Sequence, residues 1–237
     1  MISEVDLDTL AALGRGVIFK EMELWFDPQA RSGPESMAVD EWLLETRQLP
    51  MMRVYNWDGL WGSLGYFGKL EEAKQIFPGL RWVRRWTGGG VVDHREDWTY
   101  SLMIPKKFEL ARLKGGESYR AIHQVLVSVL ASEGDLVPAL AEGNQKAGSV
   151  CFENPVKFDV VGRVGEKLAG AAQRRCQLGL LHQGSVSVRG DFLLRGKSFA
   201  EQLAETWSEV EVFSDERKIN HLVSSRYGTD DWLRRRC

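Results

Sequence analysis

The stretch from Lys157 to Val188 reads KFDVVGRVGEKLAGAAQRRCQLGLLHQGSVSV, and the fold class can be inferred from it. Two strand-length runs, Lys157 to Val161 and Glu166 to Ala172, flank a glycine-bounded segment, Gly162 to Gly165. A third run, Leu178 to Val188, follows almost directly. Strands that follow one another through short turns pair antiparallel. This stretch therefore predicts the middle of an antiparallel sheet.

Outside this stretch, hydrophobic periodicity predicts further strands and several helices. Pro34 begins one helix, which Pro50 ends, and the clearest amphipathic helix runs from about Ser118 to Ser132. The other predicted elements are strands at Met51 to Trp57, Leu80 to Thr87 and Thr99 to Ile104, and closing helices near Phe199 to Trp207 and Asp215 to Tyr227. The predicted class is α/β (α+β), with a central mixed, largely antiparallel sheet flanked by helices. We expect one domain over residues 1–237, with a short helical C-terminal tail over about 195–237.

Composition narrows the function classes. The formal net charge of −2 argues against nucleic acid as a partner, because such binding rests on neutralising phosphates. No run of about 20 apolar residues is present, so no membrane span is expected. The acidic start of the chain is unlike a signal peptide, and the three widely spaced cysteines match no zinc pattern. These features predict a cytoplasmic protein with free thiols and no metal site.

A glycine-rich segment is the first candidate site. Residues Arg84 to His94 read RRWTGGGVVDH. Three successive glycines leave bare backbone that can lie against a ligand, with amide N–H groups facing an anion or a carbonyl oxygen. Arg84 and Arg85 add possible phosphate recognition. A bulged hairpin with solvated arginines explains the same residues, so the segment alone leaves both interpretations open.

Cys151 is the second candidate. It lies among Gly, Asn and Pro residues, and Lys146 and Lys157 nearby favour its thiolate form. A thiolate suits acyl transfer, because it exchanges with an incoming thioester and then yields to an amine. The alternative is an inert, buried thiol, which is the commoner state of a single cysteine.

Lys167 is the third candidate, at the start of an apolar strand of small residues. A lysine placed there loses part of its hydration and can polarise a carbonyl or help to deprotonate an attacking amine. The alternative is a strand-end lysine that reaches solvent. His182, in the next strand, fits a histidine with satisfied ring nitrogens better than a catalytic one.

Taken together, these segments resemble the lipoate–protein ligase A, biotin ligase and octanoyltransferase family. The similar segments are Glu35 to Glu41, Gly62 to Phe67, Arg84 to His94 with Thr99 to Leu102, and Gly165 to Arg175. They occur in the family's order and cover roughly Pro34 to Val188. The resemblance implies a biotin/lipoate ligase-type catalytic domain, with a fold like that of class II aminoacyl-tRNA synthetases.

The resemblance also implies roles for particular residues. Lys167 is the lysine that touches the acyl carbonyl, and Cys151 resembles the acyl-carrying cysteine of octanoyltransferase and amidotransferase members. The implied substrate-binding residues are Ser63, Leu64, Gly65, Arg84, Arg85, Gly88, Gly89, Gly90, His94, Gly170 and Ala171. One departure concerns ATP: ligases often have an acidic residue directly after the histidine, whereas His94 is followed by Arg95-Glu96-Asp97.

Two enzymatic hypotheses and one non-enzymatic hypothesis follow. The leading one is transfer of an octanoyl or lipoyl group to the lysine of a lipoyl domain through a Cys151 thioester. The alternatives are an ATP-dependent lipoate–protein ligase, needing ATP and Mg and a separate accessory subunit, and a relative that only binds acyl groups. The expected partners are lipoyl domains of 2-oxoacid dehydrogenases or the glycine-cleavage H protein, with acyl carrier protein as donor. No tightly bound cofactor is expected.

Overall fold

The structure is a computed structural model that describes residues 17–143 and 155–235. Its strands are β1 (Phe19–Phe26), β2 (Met51–Tyr55), β3 (Trp61–Leu64), β4 (Arg81–Arg84), β5 (Val91–Asp93), β6 (Trp98–Pro105), β7 (Ala139–Leu140), β8 (Val160–Val161), β9 (Lys167–Arg175), β10 (Gly179–Val186) and β11 (Ala204–Glu209). Its α-helices are α1 (Gly33–Thr46), α2 (Leu70–Ile76), α3 (Gly115–Ala131), α4 (Phe192–Leu203), α5 (Glu216–Leu222) and α6 (Asp230–Leu233).

The described strands form two sheets. The large sheet has the order β11-β1-β2-β6-β10-β9-β8-β7, and the small sheet has the order β4-β3-β5. In the large sheet only β1 pairs in parallel, with β2 on one side and β11 on the other. The prediction of a mixed, largely antiparallel sheet flanked by helices is therefore confirmed.

Helix α1 begins where the sequence predicts it. Ser32 accepts from the backbone N–H of Glu35, and the Glu35 carboxylate accepts from the backbone N–H of Ser32, which forms a capping box. Pro34 occupies the first turn, where its missing N–H costs nothing. The helix lies between the two sheets, so even polar members of its inner turns, such as Ser36 and Asp40, are buried.

The two faces of the large sheet carry separate cores. Helices α3 and α4 cover one face, with Ile122, Leu126 and Phe199 packed among sheet residues. Helix α1, the small sheet and α5 cover the other face. The second arrangement leaves a gap between the large and small sheets.

The C-terminal segment differs from its prediction. The expected helix over Phe199 to Trp207 runs instead from Phe192 to Leu203, and Ala204–Glu209 forms strand β11 at the edge of the large sheet. Residues 204–209 read AETWSE, with little hydrophobic alternation. The strand forms because the exposed edge of β1 offers unpaired backbone groups. In the described residues, no helix is long and apolar enough to cross a bilayer.

Candidate active site

A cavity occupies the gap between the two sheets. It contains about 450 Å³ of space that protein atoms do not fill, including space open to solvent. Its lining comes from α1, from β2, β6, β9 and β10 of the large sheet, and from the small sheet with its glycine-rich loop. The lining residues are Met37, Tyr55, Trp57, Ser63, Arg85, Gly89, Val92, His94, Thr99, Lys167, Gly170, Ala171, Ala172, Gln183, Gly184 and Ser185.

Lys167 is held inside the protein beside this cavity. Its side chain is 1% exposed, and its Nζ lies 2.7 Å from Asp159 Oδ2. The Asp159 carboxylate also accepts from the Tyr119 hydroxyl at 2.5 Å and from the Val156 backbone N–H at 2.8 Å. A buried ion pair persists when further hydrogen bonds satisfy the charges. The alternative of a strand-end lysine that reaches solvent is therefore wrong.

Gly170 makes room for this lysine. A Cβ at position 170 would lie 2.5 Å from Lys167 Nζ, whereas real Cβ atoms essentially never approach a neighbour within 3.0 Å. The Lys167 side chain thus lies across bare backbone three residues farther along the same strand. A side chain larger than hydrogen at position 170 would displace the ammonium group.

A chain of hydrogen bonds joins Ser63, His94 and Asp97 on the other side of the cavity. His94 Nδ1 lies 2.8 Å from Asp97 Oδ2, and His94 Nε2 lies 2.6 Å from Ser63 Oγ. An Nδ1–H tautomer satisfies both contacts, because it donates to the carboxylate and accepts from the hydroxyl. Arg85 Nη1 donates to the same Ser63 Oγ at 2.6 Å, and the Trp57 ring stacks on the imidazole at 4.1 Å. The arrangement holds an oriented imidazole and an oriented hydroxyl at the cavity wall.

The glycine-rich loop is fixed from within by Arg85. Arg85 Nη2 donates to the carbonyls of Gly88 and Gly90, at 3.0 and 2.9 Å. Gly89 has a φ of +83°, which side chains disfavour, and it alone of the three glycines lines the cavity. The loop therefore presents backbone to the cavity at Gly89, as the sequence suggested, but Arg85 supports the loop as well as facing the cavity.

A buried polar network ties the same loop to α1 and the large sheet. The Thr87 hydroxyl donates to Gln183 Oε1 at 2.7 Å, and Gln183 Nε2 donates to Asp40 Oδ2 at 2.8 Å. Asp40 Oδ1 accepts from Arg53 Nη1 at 2.7 Å. Burial lowers the pKa of Arg53, but the Asp40 and Asp27 carboxylates outweigh it and leave that pKa raised. The network contains the charged pair of Asp40 and Arg53, and its hydrogen bonds fix the position of the glycine-rich loop.

Burial shifts the pKa values of a tyrosine that lines the cavity and of two histidines behind the large sheet. Burial raises the pKa of the cavity-lining Tyr55 well above its usual value, and the Asp40 carboxylate adds to this effect. Behind the sheet, burial lowers the pKa of His123 to about 4. Burial also lowers the pKa of His182 well below its usual value, with smaller effects from His123 and Arg175.

With this geometry defined, comparison with known proteins places the chain in a family. Residues 32–221 match the family model of the lipoyl protein ligase A/B catalytic domain. The chain belongs to this family. Octanoyltransferase LipM of Staphylococcus aureus is 30% identical over 214 residues, which cover 81% of this chain and 77% of that protein. Octanoyltransferase LipM of Brevibacillus brevis is 33% identical over 185 residues, which cover 70% of this chain and 66% of that protein.

Solved structures of related fold include lipoate protein ligases. A T. acidophilum protein described as a lipoate protein ligase, with bound lipoic acid, has a TM-score of 0.71 at 20% identity and covers 91% of this chain and 98% of its own. A lipoate-protein ligase A bound with ATP has a TM-score of 0.69 at 19% identity, with the same coverage. At these identities the likeness concerns the fold, and it confirms the predicted biotin/lipoate ligase-type architecture.

The structure brings most of the residues predicted from family resemblance to one cavity. Ser63, Arg85, Gly89, His94, Lys167, Gly170 and Ala171 all line it. Leu64, Gly65, Gly88 and Gly90 are not part of the lining and pack beside it; the backbone N–H of Gly65 donates to the Gly90 carbonyl at 3.1 Å. Cys151 lies outside the described residues.

Arg84 does not line the cavity, although the family resemblance predicts that it binds substrate. It is 1% exposed and is absent from the cavity lining. Its guanidinium donates to the backbone carbonyls of Gly65, Tyr66, Gly68, Trp232, Leu233 and Arg235. An arginine with this many carbonyl partners holds the end of the chain against the small sheet. No sequence pattern distinguishes Arg84 from Arg85 in advance.

Sequence reasoning also missed four residues that position groups around this cavity. Asp159 and Tyr119 hold Lys167, Asp97 orients His94, and Gln183 connects the glycine-rich loop to α1. Asp97 carried a usable signal, because it is an acidic residue three positions after a candidate histidine. The interpretation of His182 as a histidine with satisfied ring nitrogens is confirmed, since Gln173 and Tyr100 contact its two nitrogens.

Proposed function

We propose that this protein transfers an octanoyl group to the lysine of a lipoyl domain through a thioester on Cys151. The relatives named octanoyltransferase LipM support this assignment. The observation that carries it is the buried Lys167, which Asp159 holds at the wall of the cavity between the two sheets. A charged amine is costly to bury unless it is paired, and here its ion pair with Asp159 keeps it beside the cavity.

Lys167 suits an acyl-transfer step. Its ammonium carries several N–H donors, so a group that Asp159 already holds can also donate toward the oxygen of a thioester carbonyl. Charge develops on that oxygen as the carbonyl carbon becomes tetrahedral. A donor fixed in advance in a low-dielectric site stabilises this charge more than water does.

The proposed reaction has two balanced steps. In the first, the Cys151 thiolate attacks the octanoyl carbonyl, a new C–S bond forms at Cys151, and the donor thiolate leaves and takes up a proton. In the second, the amine of the acceptor lysine attacks the Cys151 thioester. A C–N bond forms, the C–S bond breaks, and the proton lost by the amine returns to the cysteine sulfur.

The proposed partners follow from this chemistry. The acceptors are lipoyl domains, and we extend this to those of 2-oxoacid dehydrogenases and to the glycine-cleavage H protein. The proposed donor is an octanoyl thioester of acyl carrier protein. ATP and Mg enter only under the ligase alternative.

The test measures the intact mass of a lipoyl-domain acceptor after incubation with enzyme and octanoyl acyl carrier protein, or with enzyme, lipoate and ATP. We expect an octanoyl mass in the first reaction. Cys151→Ala and Lys167→Ala should each abolish it. The matched controls are Cys176→Ala, a free cysteine outside the cavity lining, and Lys20→Ala, an exposed lysine on β1.

Each other outcome assigns the protein differently. A lipoyl mass that needs ATP and survives Cys151→Ala would establish the ligase alternative. Acyl binding without any transfer would indicate a relative that only binds acyl groups. Full transfer by a folded Lys167→Ala variant would remove Lys167 from the mechanism.

A further inference from the structure

Three arginines and three aromatic rings pack together beside the glycine-rich loop. We call these residues the arginine–aromatic cluster: Arg174, Arg226 and Arg235 with Tyr66, Trp86 and Trp232. The Arg174 guanidinium lies between two rings, 5.3 Å from the centroid of Tyr66 and 5.2 Å from that of Trp86. Arg235 lies 4.6 Å from Tyr66, and Arg226 lies 5.6 Å from Trp86. Stacking at these distances keeps the guanidinium planes in defined positions.

The cluster adjoins the cavity through its own chain segments. Arg174 is two residues beyond Ala172 on β9, and Ala172 lines the cavity. Side chains two apart on a strand share a face, so Arg174 stands about 7 Å farther along the cavity side of β9. Trp86 directly precedes Thr87 and the glycines, and Tyr66 directly follows Gly65. The cluster therefore lies beside the cavity, next to the segments that line it.

The charges of the cluster are unequally compensated. Arg226 pairs with Glu41 at 2.6 Å. Within residues 17–143 and 155–235, no acidic group lies within 4.0 Å of the guanidinium of Arg174 or Arg235, and Arg174 Nε is buried without a hydrogen-bond partner. A buried guanidinium N–H that lacks an acceptor is costly. An anion bound at the Arg174 guanidinium would compensate its charge.

We propose that Arg174, with Arg235, binds the phosphate ester of the acyl donor's phosphopantetheine arm while the acyl chain occupies the cavity. This proposal rests on the proposed function and specifies its donor. Guanidinium groups match phosphate oxygens geometrically and form strong charge-assisted hydrogen bonds with them. A thioester on such an arm presents its acyl group, an extended amide chain and a phosphate in that order. The cavity would hold the acyl end of such an arm, and the neighbouring arginines would contact its phosphate.

The test compares two thioethers that cannot transfer an acyl group, S-octyl-4′-phosphopantetheine and S-octyl-pantetheine, which differ only in the phosphate. Calorimetric titration of the full chain should show the phosphorylated compound binding at least about ten-fold more tightly. Arg174→Gln should remove this preference, and Arg174→Lys should retain part of it. Arg217→Gln, an exposed arginine of α5, is the matched control and should leave it unchanged.

Three outcomes would overturn the proposal. The wild-type protein would bind both thioethers equally, or Arg174→Gln would keep the preference. Alternatively, Arg174→Gln would weaken both compounds to the same extent, which would mean that Arg174 only packs Tyr66 and Trp86. Finally, an Arg174-dependent preference for AMP over adenosine, without one for the phosphorylated thioether, would assign the phosphate to a nucleotide. Because the thioethers do not react, these results are independent of whether octanoyl transfer itself occurs.

Discussion

Gly170→Ala tests whether the position of the Lys167 ammonium, and not only its presence, sets the activity. The new Cβ would lie 2.5 Å from Lys167 Nζ against a practical limit of 3.0 Å, so the ammonium must move by about half an ångström or more. It would also lie 3.2 Å from Asp159 Oδ1. The φ of Gly170 is outside the left-handed region, so alanine does not strain the backbone there.

A displacement of this size should matter for turnover. A misplacement of about 1 Å at a reacting centre costs on the order of 100-fold, so we expect Gly170→Ala to lower kcat by about 10- to 100-fold. The free energy of unfolding should fall by about 1–3 kcal/mol, because the added methyl overpacks a filled site. The assay is single-turnover octanoyl transfer, with urea denaturation of the same samples. Gly116→Ala in α3, whose new Cβ would meet its nearest atom at 3.7 Å, is the control.

A double mutant isolates the mechanism. In a Lys167→Ala background the crowded ammonium is gone, so Gly170→Ala should lower the free energy of unfolding little further. Near-normal turnover of the single Gly170→Ala mutant would refute the argument. An equal loss of unfolding free energy with and without Lys167 would show that the methyl acts by another route.

Three further predictions concern other parts of the site. Gly89→Val should weaken binding of octanoate more than it destabilises the protein, because the φ of +83° at Gly89 and its place in the cavity lining both exclude a branched side chain. Calorimetric titration and thermal melts would separate the two effects, and equal octanoate affinity of mutant and wild type would contradict the prediction. Asp97→Asn should lower transfer by about ten-fold or more through loss of the His94 tautomer, without a large fall in Tm; an unchanged rate and pH profile would assign Asp97 a structural role. Burial lowers the pKa of His123 to about 4. The unfolded chain then binds more protons than the native one between about pH 6.5 and pH 4, so stability falls as pH falls through that window; His123→Gln should reduce the slope by about 1.4 kcal/mol per pH unit in urea titrations at several pH values, and an unchanged slope would contradict this.

Much of the fold was predictable because its signals are local. The Pro34 signal at the start of α1, the apolar spacing in α3 and the glycine-bounded turn before β9 each involve residues close in sequence. Their predicted elements are present, with ends shifted by a few residues. Strand β11 was missed because AETWSE lacks a strand pattern, and its conformation depends on an edge provided by residues 19–26.

In the candidate site, too, some residues were predictable from the sequence and others were not. The glycine-rich segment, Lys167 and His94 were visible because their residue types and order are distinctive. Their positioning partners were not, because Asp159, Asp97 and Gln183 are common polar residues whose roles come from pairing across the fold. The different uses of Arg84 and Arg85 follow from their alternating directions at the end of β4, one toward the C-terminal carbonyls and one toward the cavity.

Sequence patterns were thus enough to infer the sheet class, the presence of α1 and α3, and the residue types available for chemistry. The three-dimensional fold was needed to show that Lys167 is buried and paired, that Gly170 provides its space, and that the Arg174 guanidinium lies near the rings of Tyr66 and Trp86. The difference arises from the sequence separation over which each effect acts. Backbone preferences act over a few residues, whereas burial, ion pairing and stacking depend on groups that the fold brings together from distant parts of the chain.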